Sequence, residues 1–394
     1  MVLKTLTGNY AVATAVKLAR VKVVAAYPIT PQTTMVEKLV EMVETGELDA
    51  EVIRVESEHS ALAAVYGAAS GGVRAFTATS SHGLLYMHEM LWWVAGSRIP
   101  LVMAVVTRTI GPPWNVWTEH SDIMGQRDTG WLITLSENSQ ETLDETLKLF
   151  RITEDERVYL PGIVTLDAFI MSHTSEPVDI PDQSVVDAFL PPRKQPYVIK
   201  AGDPIVMGNV PRDLKWNMMV REDICRAMER SKRVIEEVDE LWGKLTGRKY
   251  GGLTDCYRCE DAKHFIVGMG AWTGDMRDAV DHLRDRFGLK VGLIKVRYFR
   301  PFPSEDLIKW LNNAMSVVVF DRSVSPGAGG PLYIETVASL ASSGVRSPVK
   351  SVLAGLAGVD LTPADISNVM LTSVEEVEEL GIFKQRTTWF YGGE

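Results

Sequence analysis

Four short polar segments in the first third of the chain each follow an apolar run, and together they hold side chains able to bind anions and hold protons. The first, Tyr27-Pro28-Ile29-Thr30-Pro31-Gln32-Thr33, offers the Thr30 hydroxyl between Pro28 and Pro31, whose rings restrict the backbone on both sides. It can serve a site, or simply cap a rigid turn. The second, Glu56-Ser57-Glu58-His59-Ser60, places Glu58 at the start of an alanine-rich stretch. There a carboxylate can favour the helix dipole or, if buried, share a proton with a ring nitrogen; the helix end lowers its pKa while desolvation raises it. The third is Thr79-Ser80-Ser81-His82-Gly83. The fourth runs from Thr107 to Trp114 and carries Arg108, whose guanidinium can grip a carboxylate ligand in a bidentate pair or close a salt bridge to Glu119, Asp122 or Asp128.

Other reactive residue types carry weaker signals. His59, His82, His88 and His120 are scattered without metal-ligand spacing and read as hydrogen-bonded structural histidines. Trp92, Trp93, Trp114, Trp117 and Trp131 read mostly as core or subunit-interface residues. Cys256-Tyr257-Arg258-Cys259 is a lone Cys-x-x-Cys pair, and with only Cys225 remaining the chain cannot supply four thiolates to a zinc site or a cubane cluster. Gly268-Met269-Gly270 lacks the third glycine of a dinucleotide turn, since Thr273 stands there. Metal ligation by this chain is not expected.

The elements that position the four segments follow from periodicity. Residues 21–26 read as a buried strand and 34–44 as a helix with Met35, Leu39 and Met42 on one stripe, a Thr34/Glu37 capping box and a stop at Gly46. Strands at 51–55, 74–78 and 101–106 lead into helical stretches at 60–69 and 84–95 and an irregular stretch at 108–130; a helix at 141–150 and a strand at 158–165 close the unit. Such alternation predicts an α/β fold with a parallel sheet covered on both faces, and a ligand site where loops converge at the carboxyl ends of the strands. Prolines 177, 181, 191, 192, 196 and 204 make a connecting arm without a continuous strand or helix over 172–205. A charged amphipathic helix at 223–245 reads as a spacer or packing element. A second α/β unit starts near His264, with strands at 265–267, 290–296 and 316–320 and helices at 275–287 and 304–313. The predicted division is 1–171, 172–262 and 263–394.

The composition limits the function classes. The chain has 394 residues, 41 Lys and Arg against 51 Asp and Glu, and a net charge of −10, which argues against a duplex-binding or polybasic membrane protein. The longest apolar run, at 99–106, is too short for a membrane span, and the N-terminus lacks the apolar stretch of a signal peptide. Three cysteines allow at most one intramolecular bridge. A soluble, cytoplasmic protein is expected.

Tyr27-Pro28-Ile29-Thr30-Pro31, Glu56-Ser57-Glu58-His59-Ser60-Ala61, Asp122 with Gln126-Arg127-Asp128-Thr129-Gly130, and Arg297-Tyr298-Phe299-Arg300-Pro301-Phe302-Pro303 occur in this order. In combination they resemble the α subunit of 2-oxoacid:ferredoxin oxidoreductases over nearly the whole chain. The resemblance implies a thiamine diphosphate pyrimidine-type domain followed by a transketolase C-terminal-like α/β domain. It implies CoA-dependent oxidative decarboxylation of a 2-oxoacid to acyl-CoA and CO2. Glu58 then matches the glutamate that bonds the aminopyrimidine of the cofactor, with Pro28 also on the cofactor side. Thr30 and Ile29 lie beside the substrate, and Arg108 faces its carboxylate. No Gly-Asp-Gly with a later Asn-Asn occurs, and cysteines are too few for clusters. Mg2+ with the diphosphate is therefore expected on a β subunit, and [4Fe-4S] clusters on partners that include γ and ferredoxin-like δ subunits, with ferredoxin or another acceptor taking the electrons. Gly111-Pro112-Pro113-Trp114-Asn115-Val116-Trp117 looks more like the branched-chain 2-oxoacid members than the pyruvate ones, its two tryptophans walling an apolar pocket; pyruvate and aryl 2-oxoacids stay open. The rival readings are a non-redox thiamine transferase, a dehydrogenase β-type subunit, and a non-catalytic scaffold. The glycine-rich segment 321–330 reads as an assembly element rather than a phosphate loop.

Overall fold

Six strands lie parallel in one sheet, five of them at or near the runs expected at 21–26, 51–55, 74–78, 101–106 and 158–165, with a seventh strand antiparallel at its edge. The structure is a computed structural model that describes residues 2–208, 210 and 213–392. Across this sheet the order is Tyr298–Arg300, Leu132–Leu135, Gly162–Asp167, Val102–Thr107, Ala75–Thr79, Val23–Ala26, Glu51–Arg54. The strands Ala75–Thr79, Val102–Thr107 and Gly162–Asp167 are buried along their whole length, as expected of parallel strands covered on both faces. Phe76, Ala78, Val102, Ala104 and Val106 pack under the helices Gly8–Leu18, Thr33–Glu44 and Ser139–Thr153; Met103 and Val105 point to the opposite side, under Glu58–Ser70 and His88–Gly96. Val23–Ala26 pairs with both Glu51–Arg54 and Ala75–Thr79. The winding of the sheet therefore reverses at this strand, and such a reversal opens a crevice at the carboxyl ends of the strands.

A second sheet has the order Thr387–Trp389, Val349–Leu353, Ser316–Asp321, His264–Gly268, Val291–Val296, Thr254–Tyr257, parallel except for the last strand. Helices Thr273–Phe287 and Pro363–Leu380 cover one face, and Ser304–Leu311 and Pro331–Ser342 the other. The two sheets exchange material, because Tyr298–Arg300 leaves the second unit to pair antiparallel with Leu132–Leu135 of the first.

Several expectations are corrected. Residues 172–205 do contain regular elements: Ser175–Ile180 pairs antiparallel with an N-terminal strand, Val2–Thr7, and Gln183–Phe189 is helical. Pro177 fits because this ribbon has only two strands and each is an edge. The capping box at Thr34 does not form. Gln32 is the N-cap without a side-chain cap bond, and the Thr34 hydroxyl instead accepts from Asn9 Nδ2 at 2.7 Å. The stretch 84–95 breaks at Met87 into Ser81–Tyr86 and His88–Gly96. The helix expected at 223–245 begins at Leu214 and runs to Thr246, closed by Gly247 at φ +78°. Leu132–Leu135, Val349–Leu353 and Pro363–Leu380 have no counterpart in the sequence reading.

Candidate active site

Ser57 is extended, and its hydroxyl accepts the Ser60 amide at 3.2 Å, which fixes the start of helix Glu58–Ser70. Glu58 is thus the first helical residue, 8% exposed. Among the described residues its carboxylate makes no hydrogen bond or ion pair, which is unusual for a carboxylate so nearly enclosed. Gly83 lies directly against it: a Cβ there would stand 2.6 Å from Glu58 Oε1, 2.9 Å from Glu58 Cγ and 2.5 Å from Thr79 Oγ1. Thr79 Oγ1 is itself buried without a hydrogen-bond partner. Nothing in the sequence gives Gly83 a role beyond its place directly after a polar cluster.

Arg108 follows strand Val102–Thr107 and is 4% exposed. Its guanidinium donates to the Thr30 carbonyl, so the first and fourth segments meet. Its Nε is buried without a partner, and the guanidinium lies 5.1 Å from the centre of the Trp114 ring. Burial lowers its pKa, against the opposing pull of Asp122. The alternative reading of Arg108, a salt bridge to Glu119, Asp122 or Asp128, is not realised among the described residues: Glu119 accepts from Ser121 and from the Ala357 amide, Asp128 lies 3.8 Å from Arg300, and Asp122 takes the backbone amide of Arg108 instead. An enclosed guanidinium left without a carboxylate suits an anionic ligand.

Thr30 is exposed, Ile29 half-buried and Pro28 exposed. Their loop is held from beneath by Gln32, whose Nε2 donates to the Ala78 carbonyl at 3.0 Å, and by Asn9, whose Nδ2 donates to the Pro31 carbonyl at 2.8 Å. Neither anchor was singled out from sequence. Asp122, quoted only as part of a motif and as a pairing partner, is fully buried and gathers the third and fourth segments. Its carboxylate accepts the amides of Ser81 at 2.9 Å, Arg108 at 3.0 Å and Ile123 at 2.7 Å. Burial pushes its pKa up to about 7, the three amides pulling the other way.

The expected tryptophan pair separates. Trp114 sits over Arg108 and edge-on to His82, whose Nε2 accepts the Gly111 amide at 3.0 Å. Trp117 turns away and packs against Phe169 at 5.1 Å and beside Gly358, where any Cβ would overlap it. The other histidines have protein partners: His88 with Gln126, His120 with Asp167 at 2.8 Å, and His59 beside Glu89 at 3.6 Å. Gly270 has φ +82°, a left-handed backbone that favours glycine, and lies against His120, where a Cβ would stand 3.0 Å from the ring. Cys256 and Cys259 form a disulfide, and Cys225 is free and exposed. A cleft of about 690 Å³, lined by Trp92, Trp93, Tyr197 and Trp216 among others, lies elsewhere and involves none of the candidate residues. No described helix is long and apolar enough to cross a membrane.

Residues 14–240 match the family model for pyruvate flavodoxin/ferredoxin oxidoreductase, thiamine diP-bdg, and residues 262–366 match pyruvate:ferredoxin oxidoreductase core domain II. Among curated proteins, the chain is 45% identical over 370 residues to pyruvate synthase subunit PorA of Methanothermobacter thermautotrophicus, covering 94% of this chain and 95% of the relative. It is 43% identical over 389 residues to ketoisovalerate oxidoreductase subunit VorA of Pyrococcus horikoshii, covering 98% of both. Among solved structures, a 2-oxoglutarate:ferredoxin oxidoreductase from Magnetococcus marinus, determined with 2-oxoglutarate, coenzyme A and succinyl-CoA bound, superposes with a TM-score of 0.71 at 19% identity. That match covers 94% of this chain and 65% of the solved one. A split-gene transketolase, the inactive β4 tetramer, gives a TM-score of 0.52 at 11% identity and shares the fold.

Proposed function

The chain belongs to the 2-oxoacid:ferredoxin oxidoreductases as an α-type subunit, and from that premise we propose that it binds one side of thiamine diphosphate and receives a 2-oxoacid on Arg108. The overall reaction joins a 2-oxoacid and CoA to give acyl-CoA and CO2, with two electrons passing to a ferredoxin-type acceptor. Thiamine diphosphate, when bound, supplies the carbon nucleophile and the electron sink for loss of CO2.

The residues of this chain orient and hold protons. Glu58 shares a proton with the aminopyrimidine ring; its enclosed, unpaired carboxylate suits that contact. Arg108 binds the substrate carboxylate, Thr30 holds its hydroxyl beside the keto group, and Ile29 and Pro28 flank the substrate and cofactor sides. Trp114 covers the guanidinium and shields it from water, which strengthens the ion pair. A β-type subunit brings Mg2+ and the diphosphate half of the site, in keeping with the missing Gly-Asp-Gly and Asn-Asn motifs. Iron–sulfur clusters sit on further γ- and δ-type subunits, because two of the three cysteines here are joined to each other.

The observation that carries this reading is Arg108, buried, partnerless at Nε, and delivered to the Thr30 loop at the strand where the sheet reverses. The substrate is a branched-chain 2-oxoacid, with pyruvate its nearest competitor. Supporting this, Trp114 presents an apolar ring, 56% exposed, beside the guanidinium. Rates of the assembled complex with pyruvate, 2-oxoisovalerate and phenylglyoxylate test it. A higher kcat/KM for 2-oxoisovalerate is expected. A strong pyruvate preference would overturn the substrate assignment, and no CoA-dependent turnover of any 2-oxoacid would overturn the function.

A further inference from the structure

We infer that Asp122 is a positioning residue that sets the arginine meant for the substrate carboxylate against the glutamate meant for the cofactor; this rests on the roles given above to Arg108 and Glu58. Arg108 opens the loop after strand Val102–Thr107 and Glu58 opens the helix after strand Glu51–Arg54, and these strands are not neighbours in the sheet. What joins them is a chain of short contacts. Asp122 holds the backbone amide of Arg108 and, with the same oxygen, the amide of Ser81. Ser81 has φ +50°, a left-handed conformation that costs a non-glycine residue about 1–2 kcal/mol and persists where neighbouring bonds hold it. Its hydroxyl donates to the Thr109 carbonyl, one residue beyond Arg108, so the two loops are strapped together twice. Two residues after Ser81, Gly83 abuts the Glu58 carboxylate. At the other end, the Arg108 guanidinium reaches the Thr30 loop.

Asp122 suits this task because its bonds are to backbone, not to a mobile side chain. Three amides bond its two oxygens, and the Arg108 side chain acts on it only through its charge, without a hydrogen bond. A displacement of either loop would break at least one bond to a buried acceptor.

The test is a double-mutant cycle in the assembled complex. Asp122→Ala is expected to raise the KM for the 2-oxoacid by about 10- to 100-fold, as a displacement near 1 Å would. Asp122→Asn keeps one oxygen for the Ser81 and Arg108 amides and should recover most of that loss. In an Arg108→Gln background, Asp122→Ala should change KM by no more than about two-fold, because the positioned group is already gone. Full additivity of the two substitutions, with a raised KM for each, would overturn the positioning role alone. An unchanged KM in Arg108→Gln would overturn the reading of Arg108 and this inference with it. Should Asp122→Ala fail to assemble, Ser81→Ala removes the second strap: a smaller rise in the same KM is expected, and an unchanged KM would overturn the inference.

Discussion

Glu58 and Arg108 are both nearly enclosed, and residue type alone marks them. Each carries a charge where a helix or loop begins after a strand, so both stand out in the sequence, as does Thr30 between its prolines. Gly83 and Asp122 do not. Their roles depend on contacts between segments 25 and 41 residues apart, and nothing local marks a glycine as leaving room for a carboxylate. Gly83→Ala tests that room. The new methyl group would meet Thr79 Oγ1 at 2.5 Å, Glu58 Oε1 at 2.6 Å and Glu58 Cγ at 2.9 Å, so it displaces the carboxylate and also presses on the buried Thr79. A loss of about 10- to 100-fold in kcat is expected, together with a lower Tm. An unchanged kcat would mean that the position of Glu58 at Gly83 does not matter to the reaction.

At the scale of elements, the strands at 21–26, 51–55, 74–78 and 101–106 lie within a residue or two of where periodicity puts them; Ala75–Thr79 and Val102–Thr107 are buried along their whole length, whereas Glu51–Arg54 is the largely exposed edge of the sheet. The strand Leu132–Leu135 escaped notice behind a polar, glycine-containing stretch, and Ser175–Ile180 behind its proline. The N-terminal helix Gly8–Leu18 was not assigned either, and it carries an anchor of the site. Asn9 is fully buried, donating to the Pro31 carbonyl and the Thr34 hydroxyl, while its own Oδ1 has no partner. Asn9→Ala frees the Pro31 carbonyl from beneath the Thr30 loop. A destabilisation of about 1–3 kcal/mol is expected in denaturant unfolding, with a rise in KM for the 2-oxoacid. Lost stability with an unaltered KM would separate this helix from the site.

Across the whole molecule, the helix expected at 141–150 forms as Ser139–Thr153, and its charged residues Glu141, Asp144, Glu145 and Lys148 are all buried. Lys295 bonds Glu141 at 2.6 Å, Arg297 bonds Glu141 at 2.8 Å and also reaches Glu145, and Lys148 bonds Asp239 at 2.6 Å. Apart from the local pair of Lys148 with Glu145 at 2.6 Å, the partners of these charges come from sequence positions about 90 to 160 residues away, so the local pattern does not show the network. Burial alone would raise the Glu141 pKa, but Lys295 and Arg297 outweigh it and hold it at about 2. Burial would likewise raise Asp167, which His120 and Arg322 bring down to about 2. Both carboxyls sit lower folded than unfolded, so their stabilisation is complete above about pH 4.5 and is lost as pH falls toward about 2. A steep fall in Tm across that window is expected, shallower in Glu141→Gln; an identical slope would show that this network does not carry the acid sensitivity.

If the enclosed Glu58 carboxylate works on a thiamine coenzyme shared with a neighbouring subunit, Glu58→Gln in the assembled complex removes the proton acceptor while keeping size and helix position. A loss of about 100- to 10,000-fold in kcat, with assembly intact, is expected. Turnover within about two-fold of the unsubstituted complex would contradict it, since proton transfer at that position should matter by orders of magnitude.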